Sequence, residues 1–260
     1  MYTIGIDIGS TACKAVALLD GKDIVGTSLI QTGTGTSGPG RVYEDVFKAA
    51  GLTPGDVSRT VVTGYGRLTF EKADSQVSEL SCHAKGVHFL MPKARTIIDI
   101  GGQDAKALKL SPAGTLTGFV MNDKCAAGTG RFLDVMARVL EVDVGDLAAL
   151  SERATEQISI SNVCTVFAES EVISRLAAGK SREDIAAGIH QSVANRVAGL
   201  ARRVGIEPEV VITGGVAQNL GVVRAMSEIL EMTITPAPMP QLTGALGAAL
   251  FAYDEALKMK

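Results

Sequence analysis

One short pattern occurs twice and constrains the fold more than anything else in the chain. Ile6-Asp7-Ile8-Gly9-Ser10 returns as Ile98-Asp99-Ile100-Gly101-Gly102. Each copy is an apolar run with an embedded Asp that ends in small residues, and a second apolar run follows, at 15–19 and at 105–110. Short apolar runs bounded by turn residues read as buried strands. The duplication predicts two related halves facing a common cleft. The boundary is expected near residues 92–95. Residues 1–93, joined by a returning helix at 244–260, make the first half, and 94–243 make the second.

The remaining pattern is α/β. Further strands are expected at 24–30, 60–63 and 210–213, and helices at 42–50, 79–89, 131–142, 165–178 and 244–257. Ile185, Ile189, Val193, Val197, Leu200 and Val204 form the clearest helical stripe. Pro236, Pro238 and Pro240 mark a loop. With 260 residues, 25 basic against 28 acidic, the chain shows no basic excess that would recruit nucleic acid. No apolar run approaches the roughly 20 residues that span a bilayer. The first residues lack the basic-then-apolar pattern of a signal peptide, so a cytoplasmic location is expected.

An Asp at a strand end followed by Gly and hydroxyl residues suits phosphate binding. Glycine lets backbone N–H groups approach the phosphate. Ser10 and Thr11 add hydroxyls, and Lys14 adds charge. Asp7 and Asp99 repel phosphate but hold Mg²⁺ through water. Val211-Ile212-Thr213-Gly214-Gly215-Val216-Ala217-Gln218-Asn219 places a Gly pair between a strand and a helix, where backbone flanks an adenosine. Against this stands a plain strand–turn junction at each copy. Gly33-Thr34-Gly35-Thr36-Ser37-Gly38 formally fits the dinucleotide fingerprint, which must open a helix directly. Pro39 and Gly40 are expected to keep it from doing so.

Cys125 and Cys164 each lie in a small-residue loop just before a predicted helix, a position that favours thiolate. As residues alone they read equally as small packing groups, as ligands of a zinc shared by two chains, or as half of the four-thiolate set of a cubane on a dimer axis. Cys13, Cys82, His83 and His88 read as structural, as does His190, placed on the polar side of its helix. No base is paired with a thiol.

The phosphate and adenosine segments resemble the phosphate-1, phosphate-2 and adenosine motifs of the actin/hexokinase/Hsp70 ATPases. That resemblance implies two ribonuclease-H-like halves with ATP between them. It makes Asp7 and Asp99 the Mg²⁺-associated carboxylates and puts Gln103 or Asp104 near the γ-phosphate. It gives Gly9, Ser10, Thr11, Ala12, Cys13, Lys14, Gly101, Gly102, Gln103, Gly214, Gly215, Gln218, Asn219 and Gln241 as the nucleotide-binding set. The stretch 122–134, with Cys164-Thr165-Val166-Phe167-Ala168-Glu169-Ser170-Glu171, closely resembles the activators of 2-hydroxyacyl-CoA dehydratases, also called archerases, over essentially the whole chain. This second resemblance implies a homodimer in which Cys125 and Cys164 of both protomers ligate one [4Fe–4S] cluster. It further implies ATP-driven transfer of one electron from ferredoxin or flavodoxin to a dehydratase. The alternatives are the ATPase subunit of a benzoyl-CoA reductase-type complex, a small-molecule kinase of the same fold, and an ATP-dependent chaperone or scaffold.

Overall fold

The structure is a computed structural model that describes residues 1–259. The chain divides into two compact units. Unit 1 comprises residues 1–93, 110–116 and 241–260, and unit 2 comprises 94–109 and 117–240.

Unit 1 is built on a five-stranded sheet: β1 (Tyr2–Ile8), β2 (Cys13–Leu19), β3 (Asp23–Ile30), β4 (Val57–Thr63) and β5 (Ser75–Gln76), in the order β3-β2-β1-β4-β5. The first three form an antiparallel meander, and β4 and β5 add in parallel. Strand alternation divides β1 between two faces. Ile4, Ile6 and Ile8 pack with Val42, Val46 and Phe47 of α1 (Gly38–Ala50). On the other face, Val16 and Leu18 meet Ala245, Leu246, Ala249 and Leu250 of α8 (Thr243–Lys258), beside α2 (Glu79–Leu90). Gly5 is required in the middle of β1, because an added Cβ would overlap the α8 backbone at Ala245 and Ala249.

Unit 2 repeats that plan. Its strands are β6 (Thr96–Ile100), β7 (Ala105–Leu110), β8 (Leu116–Asn122), β9 (Val210–Thr213) and β10 (Ile234–Pro236), in the order β10-β9-β6-β7-β8. Read from β8, this matches the first sheet strand for strand: β6 takes the place of β1, β7 of β2 and β9 of β4. β6 and β7 are antiparallel, while β9 joins β6 and β10 joins β9 in parallel. The helices are α3 (Gly130–Val139), α4 (Leu147–Ser151), α5 (Thr165–Ala177), α6 (Arg182–Val204) and α7 (Leu220–Leu230). The α6 stripe from Ile185 to Leu200 is buried, and Val204 is partly buried against the same core.

Three expectations need correction, and two elements are additional. The proline-rich segment contributes β10, an edge strand whose last residue is Pro236, a position where a missing N–H is tolerated. β8 and α4 were not anticipated by the pattern. The glycine run 33–38 does open a helix, because Pro39 sits in the first turn of α1, where its missing N–H costs nothing. It nevertheless follows β3, an antiparallel edge strand, so it is not a βαβ dinucleotide turn. His190 is buried at 2 % exposure rather than set on a polar face.

Candidate functional site

The duplicated strand ends build two loops of the same design. In unit 1, β1 and β2 pair so that Asp7 stands opposite Lys14, whose Nζ lies 3.2 Å from Asp7 Oδ2. The turn between them is closed by the Gly9 N–H donating to the Ala12 carbonyl at 3.0 Å. In unit 2, Asp99 stands opposite Lys106, 3.3 Å from Asp99 Oδ2, and the Gly101 N–H donates to the Asp104 carbonyl at 2.9 Å. Both loops therefore read Asp-x-Gly-x₄-Lys. Lys106 did not figure in the sequence reading, although its spacing from Asp99 repeats that of Lys14 from Asp7.

The duplication reaches further. Thr63-Gly64 ends β4 beside Asp7, and Thr213-Gly214 ends β9 beside Asp99. Both glycines hold left-handed φ, 88° and 84°. A side chain at either one would press on the neighbouring carboxylate: at 3.1 Å from Asp99 Oδ1 for Gly214, and in overlap with Asp7 Oδ1 for Gly64. The Gly214 N–H donates to the Pro240 carbonyl at 2.8 Å, which ties this turn to the residue just before Gln241. Gln218 closes the short 3₁₀ turn Gly215–Gln218, and Asn219 caps α7.

Asp7 also lies against the first turn of α8. A Cβ added at Gly244 would sit 3.2 Å from Asp7 Oδ2 and 3.1 Å from His83 Nε2. His83 Nδ1 is 3.0 Å from Thr243 Oγ1. Ser10 is half-buried, Thr11 is exposed and Ala12 is buried. The Cys13 thiol points into the core, where burial first and Asp7 second push it up to about 11, so only its backbone faces the turn. Of the two residues expected near a γ-phosphate, Asp104 turns back to pair with Lys106 at 2.5 Å, whereas Gln103 is exposed.

The helix that follows the Cys125 loop is joined to the unit 2 turn by backbone. The Gly130 and Arg131 N–H groups, at the start of α3, donate to the Gly101 and Gly102 carbonyls at 2.9 and 2.8 Å. The loop leading into α3 carries Cys125. Asn122 Nδ2 bonds the Cys125 carbonyl at 2.9 Å, and Thr129 Oγ1 bonds Ala126 at 2.7 Å. Cys164 is the N-cap residue of α5, and Cys125 Sγ lies 3.9 Å from the Val163 carbonyl next to it. Both thiols are free and partly exposed, while Cys82 is buried and pushed up to about 12 by that burial. Around Cys164, Val163, Val166 and Phe167 are exposed, Phe167 at 70 %.

Two thiols are half of what a cubane needs. Among the described residues no group of three or more His, Cys, Asp and Glu is placed to hold a metal. The donor chemistry fits a thiolate-ligated cluster in one respect and limits it in another, since a single chain supplies only two soft ligands.

Residues 4–252 match the BadF/BadG/BcrA/BcrD ATPase family. The chain belongs to this ATPase family. Its relatives within the family agree closely. The activator of lactoyl-CoA dehydratase from Anaerotignum propionicum is 60 % identical over 258 residues, 99 % of this chain and 100 % of that protein. The (R)-2-hydroxyglutaryl-CoA dehydratase activating ATPase of Acidaminococcus fermentans is 58 % identical and covers 99 % of each. The solved activator of the 2-hydroxyisocaproyl-CoA dehydratase from Clostridium difficile, with bound ADPNP, superposes with a TM-score of 0.96 at 58 % identity, over 100 % of this chain and 97 % of that one. A ROK family glucokinase from Streptomyces griseus, 15 % identical with a TM-score of 0.61 over 98 % of this chain and 100 % of that one, shares the fold. The fold is thus of the actin/hexokinase type, and the resemblance to dehydratase activators holds along the full chain.

Proposed function

We propose that this ATPase is a cytoplasmic activator of a 2-hydroxyacyl-CoA dehydratase, to which it passes one electron from ferredoxin or flavodoxin at the expense of ATP. One observation carries the reading beyond the relatives' names. The phosphate-2 loop and the Cys125 loop are a single hydrogen-bonded body, through Gly101–Gly130 and Gly102–Arg131. Whatever moves Gly101 and Gly102 on ATP binding or hydrolysis moves the start of α3 and the cysteine loop with it.

The residues take the following parts. Gly9, Ser10, Thr11 and Lys14 hold phosphate in unit 1, and Gly101 and Gly102 do so in unit 2. Asp7 and Asp99 are each already engaged by a lysine, which suits contact with a hydrated Mg²⁺ rather than direct ligation. Gln103, the freer of the two expected side chains, orients the attacking water. Gly214, Gly215, Gln218, Asn219 and Gln241 take the adenosine. Cys125 and Cys164 from each of two copies hold one [4Fe–4S] cluster, which supplies one-electron chemistry at low potential when bound. The exposed Val163, Val166 and Phe167 beside Cys164 support burial of this face against a second copy.

The test separates the two activities. Cys164→Ala is expected to keep ATP hydrolysis and lose dehydratase activation. Full activation by this variant would overturn the proposal.

A further inference from the structure

The adenosine turn has a buried neighbour that nothing so far has used. His190 lies in the middle of α6, with Nδ1 3.1 Å from Ser151 Oγ. That hydroxyl donates its proton to the Ala148 carbonyl at 2.8 Å. Ser151 oxygen must therefore accept, so the His190 proton is on Nδ1 and Nε2 is a bare acceptor. Nε2 is buried and has no partner among the described residues. Burial, with Arg224 as a second cause, holds the ring down to about 4, so it is neutral at ordinary pH.

Asn219 presents the complement. Its Oδ1 accepts the Val222 N–H at 3.2 Å as the cap of α7, which fixes the orientation of the amide and leaves Nδ2 as the donor. Nδ2 is likewise buried without a partner among the described residues. Both side chains lie against Gly221, in the first turn of α7. A Cβ there would overlap the His190 ring at Cε1 and Nδ1 and would sit 3.1 Å from Asn219 Oδ1. The two side chains that carry the orphaned acceptor and the orphaned donor thus meet at the same glycine through their bonded edges, and buried polar groups are rarely left unmet.

We propose that His190 is a positioning residue for the adenosine end of the nucleotide site. Its Nε2 takes the Asn219 amide through one bridging water, and so fixes the cap of α7 against the Gly214-Gly215 turn. The role rests on reading Gly214–Asn219 as the adenosine turn.

The chain has three histidines, which makes imidazole ¹⁵N spectra tractable. Wild-type protein should show one ring as the pure Nδ1–H tautomer with Nε2 hydrogen-bonded. Asn219→Ser keeps a capping oxygen but removes the amide, and should return that Nε2 signal to the value of an unbonded nitrogen. His190→Leu should weaken ATP binding by about tenfold without lowering thermal stability, and should add nothing to Asn219→Ser. His190→Gln, whose side-chain amide reaches the Nε2 position, should restore binding to within about twofold of wild type. An Nε2 signal unmoved in Asn219→Ser overturns the pairing. Wild-type ATP affinity in His190→Leu overturns the positioning role. Gly214→Val separates the two readings. If it loses ATP while His190→Leu does not, only this inference fails. If it binds ATP normally, the adenosine assignment fails and the inference falls with it.

Discussion

Asp7 and Asp99 each end a central strand opposite a lysine seven residues on, and the surroundings of the two pairs differ in kind. In unit 2 every atom of the pair is committed. Asp99 Oδ1 accepts from Thr213 Oγ1 at 2.8 Å, Oδ2 faces Lys106, and Lys106 is shared with Asp104. In unit 1 the equivalent threonine, Thr63, donates instead to the Val77 carbonyl at 2.8 Å, and no acidic residue stands at the position of Asp104, which Ala12 takes. The Lys14 side chain is 17 % exposed against 4 % for Lys106. The unit 2 loop is also bonded to a following helix, α3, whereas the unit 1 loop is bonded at Gly9 to Thr34, ahead of α1. Two loops of one design are thus held in different ways. The first leaves its lysine partly exposed to solvent. The second is a locked charge network that anchors the cysteine loop.

The widest separation should appear in activity. Asp7→Ala and Asp99→Ala should each reduce ATP turnover by about 10²-fold or more in a steady-state assay, since each removes a fixed charge from its loop. If one of them turned over normally, that loop would not belong to the nucleotide site.

Stability should then break the symmetry. Lys106→Ala strands Asp99 in a buried site and should cost about 3–5 kcal/mol in denaturant unfolding, as breaking a buried ion pair does. Lys14→Ala, at a pair whose lysine is more exposed, should cost distinctly less than that. Equal losses would abolish the distinction drawn between the loops.

Acid sharpens the contrast from the side of unit 2. His190 titrates near 4 in the folded chain, and an unfolded histidine does so near 6.5. Between those values the unfolded state binds more protons, so stability falls as pH drops from about 6.5 to about 4, by at most about 3 kcal/mol from this residue. His190→Leu should flatten that part of the pH profile. Asp184, held below the usual carboxylate range by its bonds from Ser181 and the Glu156 and Thr155 N–H groups, loses its contribution at lower pH still.

The narrowest difference between the loops concerns the two threonines. Thr213→Val takes a hydroxyl from a charged acceptor and should cost about 1.5–3 kcal/mol, against about 1 kcal/mol for Thr63→Val, which loses a carbonyl bond.

Much of this was legible in the chain. Strand periodicity and the repeated Asp-Gly segments gave the two-sheet α/β plan, because both signals are local. The spacing of Lys106 from Asp99, the same as that of Lys14 from Asp7, is equally local. Thr213 beside Asp99 and Thr63 beside Asp7 were not legible, because parallel pairing brings together residues more than 50 positions apart. The bonds from Gly130 and Arg131 to Gly101 and Gly102 were hidden because contacts between a turn and a helix start leave no periodic signal. His190 was misplaced because α6 is covered by α4 and α7 on the side its polar residues seemed to leave open, so helical periodicity alone assigned it to solvent.

The central claim is that two copies of this ATPase share one cluster through Cys125 and Cys164. Anaerobic purification, followed by iron and sulfide analysis and native mass measurement, tests it most directly. The account predicts a dimer with about four irons and four sulfides, lost in both Cys125→Ser and Cys164→Ser. A chain that stays free of iron after anaerobic reconstitution, or that holds its iron as a monomer, would contradict it.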